Sequence, residues 1–129
     1  MKDEKDAGGD SPMELKARTK QLAIRVIRLY SALPNTTVAQ VLGKQLLRCG
    51  TSVGAHYREG LRSRSNAEFI SKIQGALQEL EGTAYWLELL EEIAVFPEQR
   101  LAELQREVNE LTAILTTCVE NAKSRRPDG

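Results

Sequence analysis

The chain has 129 residues, of which 41% are apolar and 5% aromatic, and its formal net charge is zero. This length suits one domain with a single core, filled mainly by aliphatic side chains. No apolar run reaches the roughly 18–20 residues of a membrane span, and the polar N-terminal residues lack a signal-peptide core, so we expect a cytoplasmic protein without a membrane partner.

Charge is distributed unevenly along the chain. Residues 14–72 hold eleven Lys or Arg against three Asp or Glu, whereas residues 73–120 hold two against ten. These two parts therefore carry +8 and −8. Such asymmetry predicts either a basic face for a polyanion or complementary faces that meet within or between subunits.

The chain begins with a polar segment and a first amphipathic segment. Residues 1–12 are polar and contain glycine, which predicts a disordered leader. Residues 13–33 show apolar spacings of three and four and end before Pro34, which predicts a helix. Its apolar stripe consists of Leu15, Leu22, Val26, Leu29 and Leu33.

A second helix is predicted over residues 37–59. Thr37 and Gln40 have the spacing of a capping box, and Gly60 is placed to end the helix. Gly50 and Gly54 lie one turn apart, which permits close approach of another backbone. The apolar face consists of Val38, Leu42, Leu46, Cys49, Val53 and His56.

Two longer helices are predicted over residues 65–94 and 97–123. The third begins with a capping box from Ser65 to Glu68, and the fourth has Pro97 at its first helical position. The third stripe consists of Ile70, Ile73, Leu77, Leu80, Ala84, Leu87 and Ala94, with Leu90 beside it. The fourth consists of Leu101, Leu104, Val108, Leu111, Leu115, Cys118 and Ala122. Residues 124–129 predict a flexible tail.

These segments predict an all-α fold. Because the loops are short, neighbouring helices should be antiparallel, and sustained three-four spacing favours shallow crossing angles. We therefore expect an antiparallel up-down-up-down four-helix bundle over residues 13–123.

The third segment carries more apolar residues than one bundle seam needs. Tyr85, Trp86 and Leu89 lie beside its main stripe. This surplus indicates a subunit interface, and hence a homo-oligomer. The alternative is a wide stripe that faces the core of a single bundle.

No catalytic, metal or cofactor constellation is visible in the sequence. His56 is the only histidine, and we interpret it as a structural side chain on an apolar face. Cys49 and Cys118 lie far apart on apolar stripes and are interpreted as free thiols. Glu-x-x-His pairs of a di-iron bundle are absent. We therefore expect a protein that is not an enzyme.

The basic residues have two interpretations that the sequence leaves open. Arginine suits phosphate because its planar group bonds two oxygens at once, so these residues predict a nucleic-acid surface. Alternatively, they pair with glutamates of the third and fourth helices, within or between subunits. The residues are Arg48, Arg58, Arg62, Arg64 and Lys72 near the second turn, with Arg18, Arg25 and Arg28 on the first helix.

The run QLLRCGTSVGAHYREGLRSRSNAEFISKI resembles the signature of a known family. These are small four-helix-bundle proteins named after the intervening sequences of bacterial 23S rRNA genes. The matching residues are Gln45, Leu46, Arg48, Cys49, Ser52, Val53, Ala55, Glu59, Gly60, Arg64, Ser65, Glu68 and Phe69, followed by Leu77, Glu79, Leu80 and Glu81. His56 stands where asparagine is usual, and Gly54 where proline is common.

The resemblance implies a four-helix bundle, often a ring-like homopentamer, without enzyme activity. A related branch serves diversity-generating retroelements as an accessory protein that binds nucleic acid and a reverse transcriptase. The resemblance therefore implies RNA or DNA, and a reverse transcriptase or another protein, as partners. The formal net charge of zero differs from that of a strongly basic accessory protein.

Overall fold

Four α-helices make up most of the chain. A computed structural model of the protein describes residues 10–125, and no strand forms among them. The helices are α1 (Pro12–Ser31), α2 (Thr37–Leu61), α3 (Asn66–Glu92) and α4 (Glu98–Ser124). The predicted all-α four-helix fold is confirmed, and each predicted boundary lies within two residues of the observed one. Residues 1–9 of the predicted leader and 126–129 of the predicted tail lie outside the described residues.

Side-chain caps define the starts of the first two helices. Ser11 Oγ accepts a hydrogen bond from the Glu14 amide at 3.1 Å, and Glu14 Oε1 accepts one from the Ser11 amide at 2.7 Å. α1 therefore starts within the predicted leader. The predicted capping box at Thr37 is wrong by one residue, because Thr36 Oγ1 accepts from the Ala39 amide.

The α2–α3 turn is built differently from the prediction at two points. Ser65 caps α3 by accepting from the Glu68 amide at 3.0 Å, but the Glu68 carboxylate accepts from the Arg64 amide rather than from Ser65. Gly60 does not end α2. It is buried in the last turn, where an added Cβ would meet Ile73 Cδ1 at 2.9 Å, and the helix continues to Leu61.

The α3–α4 turn contains the one non-glycine residue with positive φ among residues 10–125. Ala94 has φ of 60°, and the Val95 amide donates to the Leu90 carbonyl at 3.1 Å. This is the geometry that closes a helix after its last carbonyls have been satisfied. Ala94 is therefore exposed and outside the core stripe in which it was predicted, whereas Leu90 is fully buried.

The core follows the predicted stripes with local shifts. In α2 the predicted core position Val38 is wrong, since Val38 is 59% exposed and its neighbour Ala39 is buried. Cys118 is half-buried, and Ile114 and Val119 are buried instead beside the α4 stripe. The largest fully buried side chains are Leu15, Leu22, Leu46, Ile73, Leu80, Leu87, Leu90, Leu101, Leu111, Leu115, Val26 and Val53.

Glycines set the distance and register between α1 and α2. An added Cβ on Gly54 would meet Thr19 Oγ1 at 3.1 Å, and one on Gly50 would meet Val26 Cγ2 at 2.7 Å. Contacts that advance along α2 thus recede along α1, which is the antiparallel arrangement. The two helices approach closely because α2 has no side chain at residues 50 and 54, so Val26 and Thr19 of α1 pack directly onto its backbone.

α3 contributes its own glycines to the contact with α2. Gly82 faces Cys49, with 2.8 Å between an added Cβ and Sγ, and Gly75 faces the His56 ring at 3.3 Å. Cys49 and His56 are seven residues apart in α2, and the glycines that they face are seven residues apart in the reverse order in α3. This pair of helices is therefore also antiparallel. Among neighbouring helices, α1 and α4 have the smallest contact, and they leave an open groove between them.

We expect Gly50→Ala to destabilise the protein, whereas Gly75→Ala should not. The methyl group at residue 50 would overlap the stiff Val26 side chain, so the free energy of unfolding should fall by about 1–3 kcal/mol. At residue 75 the neighbouring His56 side chain is partly exposed and can shift, so the higher helix propensity of alanine should leave stability unchanged or raise it by up to about 1 kcal/mol. Urea unfolding measures both variants, and equal effects would contradict the close α1–α2 contact.

Candidate nucleic-acid interface

Three of the predicted arginines lie together at the end of α2 and in the turn that follows. Arg58, Arg62 and Arg64 are exposed, and no carboxylate of residues 10–125 lies within ion-pair distance of them. Arg58 Nη2 donates only a long hydrogen bond, 3.5 Å, to the Lys16 carbonyl. We name these three residues the turn arginines.

Arg48 and Lys72 are engaged by glutamates instead. Arg48 Nη1 lies 3.8 Å from Glu79 Oε1, and Lys72 Nζ lies 3.3 Å from Glu59 Oε1. Arg48 is also ten residues before Arg58, which is about 15 Å along a helix at 1.5 Å per residue. The structure therefore does not bring all five predicted cations into one patch.

His56 joins these two ion pairs. Its Nδ1 lies 3.8 Å from Glu59 Oε1 and its Nε2 lies 3.6 Å from Glu79 Oε2. The groups alternate in the order Arg48, Glu79, His56, Glu59 and Lys72 along the outer α2–α3 surface. This position supports the interpretation of His56 as a structural residue.

Neither Cys49 nor Cys118 forms a disulfide, as predicted. Cys49 is 3% exposed and packs against α3 at Gly82. Burial raises the pKa of the Cys49 thiol, although the neighbouring Arg48 guanidinium acts in the opposite direction. Cys49 is consequently held as a protonated, buried thiol.

Arg18 is bound within its own chain. Its Nε and Nη2 donate to the two carboxylate oxygens of Glu107 at 3.0 and 2.8 Å, Nη2 also reaches Glu110 at 2.8 Å, and Nη1 reaches Asp10 at 2.7 Å. These hydrogen bonds, foremost that with Glu107, raise the pKa of Arg18 further above its ordinary value. The interpretation that arginines pair with the acidic stripe of α4 therefore describes this residue.

Arg25 and Arg28 lie toward the other end of the bundle, away from the turn arginines. Together with Arg100 they line a groove of about 200 Å³ between α1 and α4, with Leu29 and Leu104. Arg25 also borders the adjoining groove lined by three glutamates, Glu103, Glu107 and Glu110. Nearby carboxylates make this region less favourable for an extended polyanion than the α2–α3 turn.

A slot opens directly beside the turn arginines. It has a volume of about 370 Å³. Its lining consists of Gly60, Leu61, Ser63, Arg64, Ser65, Asn66 and Phe69. From the sequence, Phe69 was recognised as a residue of the family signature but was not predicted to belong to a binding site. The missed signal is its position four residues after the cap Ser65, which keeps an aromatic ring next to the basic turn.

The predicted interface residues lie on the outer part of α3. Tyr85 is 53% exposed, whereas Trp86 and Leu89 are half-buried, and the Tyr85 and Trp86 rings meet edge to face at 5.0 Å. The α2–α3 register seen at Cys49 and Gly82 continues toward Val38 and Ile93, which are 59% and 48% exposed. The structure thus extends the predicted apolar surface onto α2.

Metal-binding clusters and membrane-spanning helices are both absent from residues 10–125. No group of three or more His, Cys, Asp or Glu side chains is arranged to hold a metal ion. None of the helices is both long and apolar enough to cross a membrane. The expectation that the protein is not an enzyme stays a prediction.

Comparison with known proteins identifies similar sequences and structures. The family model of the 23S rRNA-intervening sequence protein matches residues 12–117. A crystal structure of a protein of unknown function from the S23 ribosomal protein family of Bacteroides thetaiotaomicron is 33% identical, with a TM-score of 0.79. The similarity covers 84% of this chain and 97% of that one. No curated protein matches the chain.

We expect Arg18→Gln to destabilise the protein while Arg25→Gln does not. Removal of the Arg18 guanidinium leaves partly buried Glu107 and Asp10 without their partner, so the free energy of unfolding should fall by about 1–2 kcal/mol. Arg25 lies two turns away and forms no ion pair within residues 10–125, so its change should stay within about 0.5 kcal/mol. Chemical denaturation compares the two, and an Arg18 variant as stable as wild type would show that the ion-pair cluster contributes nothing.

Proposed function

The chain belongs to the 23S rRNA-intervening sequence protein family, and we propose that it acts as a non-enzymatic homo-oligomer that binds structured RNA through its α2–α3 turn. The observation that carries this proposal is the state of the turn arginines. Arg58, Arg62 and Arg64 remain exposed and without carboxylate partners in the described part of the chain, whereas Arg18, Arg48 and Lys72 are engaged by glutamates.

Phosphate groups are the ligand class that best suits such a surface. The guanidinium group offers a planar set of donors that matches two phosphate oxygens, and its charge is retained at any physiological pH. Three arginines within seven residues would bind the RNA backbone mainly through phosphate contacts, which position the ligand without reading its sequence. The formal net charge of zero does not oppose this proposal, because none of the turn arginines is paired with a carboxylate in the described part of the chain.

The oligomer is proposed from the apolar surface on α2 and α3. Tyr85, Ile93 and Val38 each expose about half of their area, and Trp86 and Leu89 are half-buried. Several large exposed apolar side chains on two packed helices are typical of a subunit contact. A pentamer is the assembly that the family resemblance implies. In such an assembly each subunit would contribute its turn arginines, and these would bind one RNA jointly. An RNA–protein complex, such as one with a reverse transcriptase, is a target of the same surface.

The triple variant Arg58→Glu, Arg62→Glu, Arg64→Glu should lose RNA binding. We expect its affinity for a structured RNA to fall by roughly two orders of magnitude at low salt, because three phosphate contacts become repulsive. The dependence of log Kd on log salt should become shallower by about three units, one for each cation removed. Salt-titrated fluorescence anisotropy with wild type and variant measures both quantities.

A matched control reverses three exposed cations elsewhere. Arg28→Glu, Arg100→Glu and Arg106→Glu change the net charge by the same amount and should retain most of the binding. Equal losses of RNA affinity in both triple variants would show that binding depends on net charge and not on the turn. If wild type does not bind RNA at low salt, the proposal is rejected. A turn variant that loses its oligomeric state would instead favour the alternative function, a protein scaffold whose arginines pair with acidic stripes of neighbouring subunits.

Trp86→Glu should dissociate the oligomer without unfolding the subunit. A carboxylate at a half-buried interface position would have to be desolvated on assembly, which costs several kcal/mol. We expect light scattering to show a smaller mass at micromolar concentration while helical circular dichroism is retained. Leu87→Glu is the control, because Leu87 is fully buried and its replacement should unfold the helix bundle. If Trp86→Glu behaves like Leu87→Glu, Trp86 is a core residue and not an interface residue.

A further inference from the structure

The slot beside the turn arginines combines an aromatic ring with an arginine that forms no ion pair among residues 10–125. Phe69 and Leu61 form its apolar part, and Arg64, Ser63 and Asn66 form its polar part. We propose that this slot holds an unpaired nucleotide of the bound RNA, with the base against the Phe69 ring and a phosphate on Arg64. This inference rests on the proposed function and names the kind of RNA that the site selects.

The apolar part of the slot suits a nucleobase. Phe69 is half-buried and Leu61 is 38% exposed, so both remain open on one side. A base can stack on an exposed aromatic face irrespective of its sequence, since every base has a π-face. The volume of about 370 Å³ lies within the roughly 300–1,000 Å³ of small-molecule sites, although the slot is open to solvent.

The polar part suits the phosphate that accompanies the base. The Arg64 amide donates to Glu68 Oε1 at 3.2 Å, which holds the backbone of the turn while the guanidinium group stays exposed without an ion pair among residues 10–125. The slot also lies at the N-terminus of α3, where the helix dipole favours negative charge. Ser65 satisfies the Glu68 amide there, whereas the amides of Asn66 and Ala67 belong to the first helical turn, whose N–H groups have no partner within the helix.

The floor of the slot is held in place by α4. Asn66 Nδ2 donates to the Ala122 carbonyl at 2.7 Å, which ties the start of α3 to the end of α4. Ser63 Oγ donates to the Glu59 carbonyl, so the turn is anchored on both of its sides. A rigid slot with a fixed aromatic edge can accept a base that has been extruded from a loop. It cannot accept a base that is paired and stacked within a duplex.

Selection of unpaired RNA follows from this geometry. A-form duplexes present phosphates and ribose hydroxyls to proteins but keep the faces of their bases covered. The turn arginines alone would bind duplex and single strand with similar affinity for equal numbers of phosphates. The slot adds affinity only where a base is free, so the protein should prefer loops, bulges or single strands.

The test measures anisotropy with three probes. These are a short unpaired RNA, a blunt RNA duplex with the same number of phosphates, and the unpaired strand with abasic sites at its centre. Wild-type protein should bind the unpaired strand roughly tenfold more tightly than the other two probes. This ratio corresponds to the binding free energy of about one base stacked on an aromatic ring. Phe69→Leu should reduce binding of the unpaired strand by the same factor and leave duplex binding unchanged, because leucine retains the packing but has no ring.

Two further variants separate stacking from folding. Phe69→Trp should preserve the preference, and in a Trp86→Phe background its fluorescence should be quenched by the unpaired strand, because the chain then has a single tryptophan. Phe96→Leu is the matched control, since Phe96 lies at the opposite end of the bundle under Arg100. This variant should bind all three probes as wild type does.

The outcomes distinguish this inference from the function on which it rests. If the turn-arginine variant loses binding while Phe69→Leu binds all three probes like wild type, the slot inference is rejected and the phosphate surface remains. If no probe binds to wild type at low salt, both are rejected. A preference for the unpaired strand that Phe69→Leu and the abasic probe abolish equally is the result that establishes the slot.

Discussion

Packing of side chains from one helix directly onto glycine residues of the next is the constraint on which the rest of the structure depends. α2 touches α1 at Gly50 and Gly54, and α3 touches α2 at Gly75 and Gly82. At these positions an added methyl group would meet a neighbour at 3.3 Å or less, so the three helices can combine closely in one register. Interiors of proteins are packed densely enough that such a register is specified by shape. The charged groups on the α2–α3 surface then follow from it, because it sets His56 between two glutamates of different helices.

The same register decides which cations are neutralised. Along the flank of α2 and α3, and between α1 and α4, the helices run side by side and bring glutamates within reach of Arg18, Arg48 and Lys72. At the α2–α3 turn Arg62 and Arg64 are exposed, and neither has a carboxylate partner among residues 10–125. A chain with zero formal charge can thereby present a local basic surface.

The proposed RNA surface and the proposed subunit contact occupy different parts of the molecule. The turn arginines and the Phe69 slot lie at one end of the bundle, whereas Trp86, Tyr85 and Ile93 lie toward the far end of α3. Assembly through the apolar surface would leave the turn accessible in every subunit. Several weak phosphate contacts on one oligomer would then act together on a single RNA, and their combined affinity would exceed that of one subunit.

Local features of this protein could be predicted from its sequence because they depend on neighbours along the chain. The three-four spacing of leucines predicted all four helices, and Ser65 predicted the start of α3. The longer run of residues that contains Arg64 to Phe69 indicated the family. Which side of a helix faces the core is less local. The sequence placed Val38 inside, but packing against α1 turns Ala39 inward and leaves Val38 exposed.

The candidate site was decided by tertiary structure. Arg18 and Arg58 look alike in the sequence, yet only Arg18 lies opposite glutamates that are about ninety residues away along the chain. Phe69 becomes part of a slot only when α2 ends beyond Gly60 and α4 holds Asn66 in place. The physical reason is that ion pairs and cavities depend on the register between helices. That register arises from the fit of surfaces distant in sequence, about which the periodicity of a single segment carries no information.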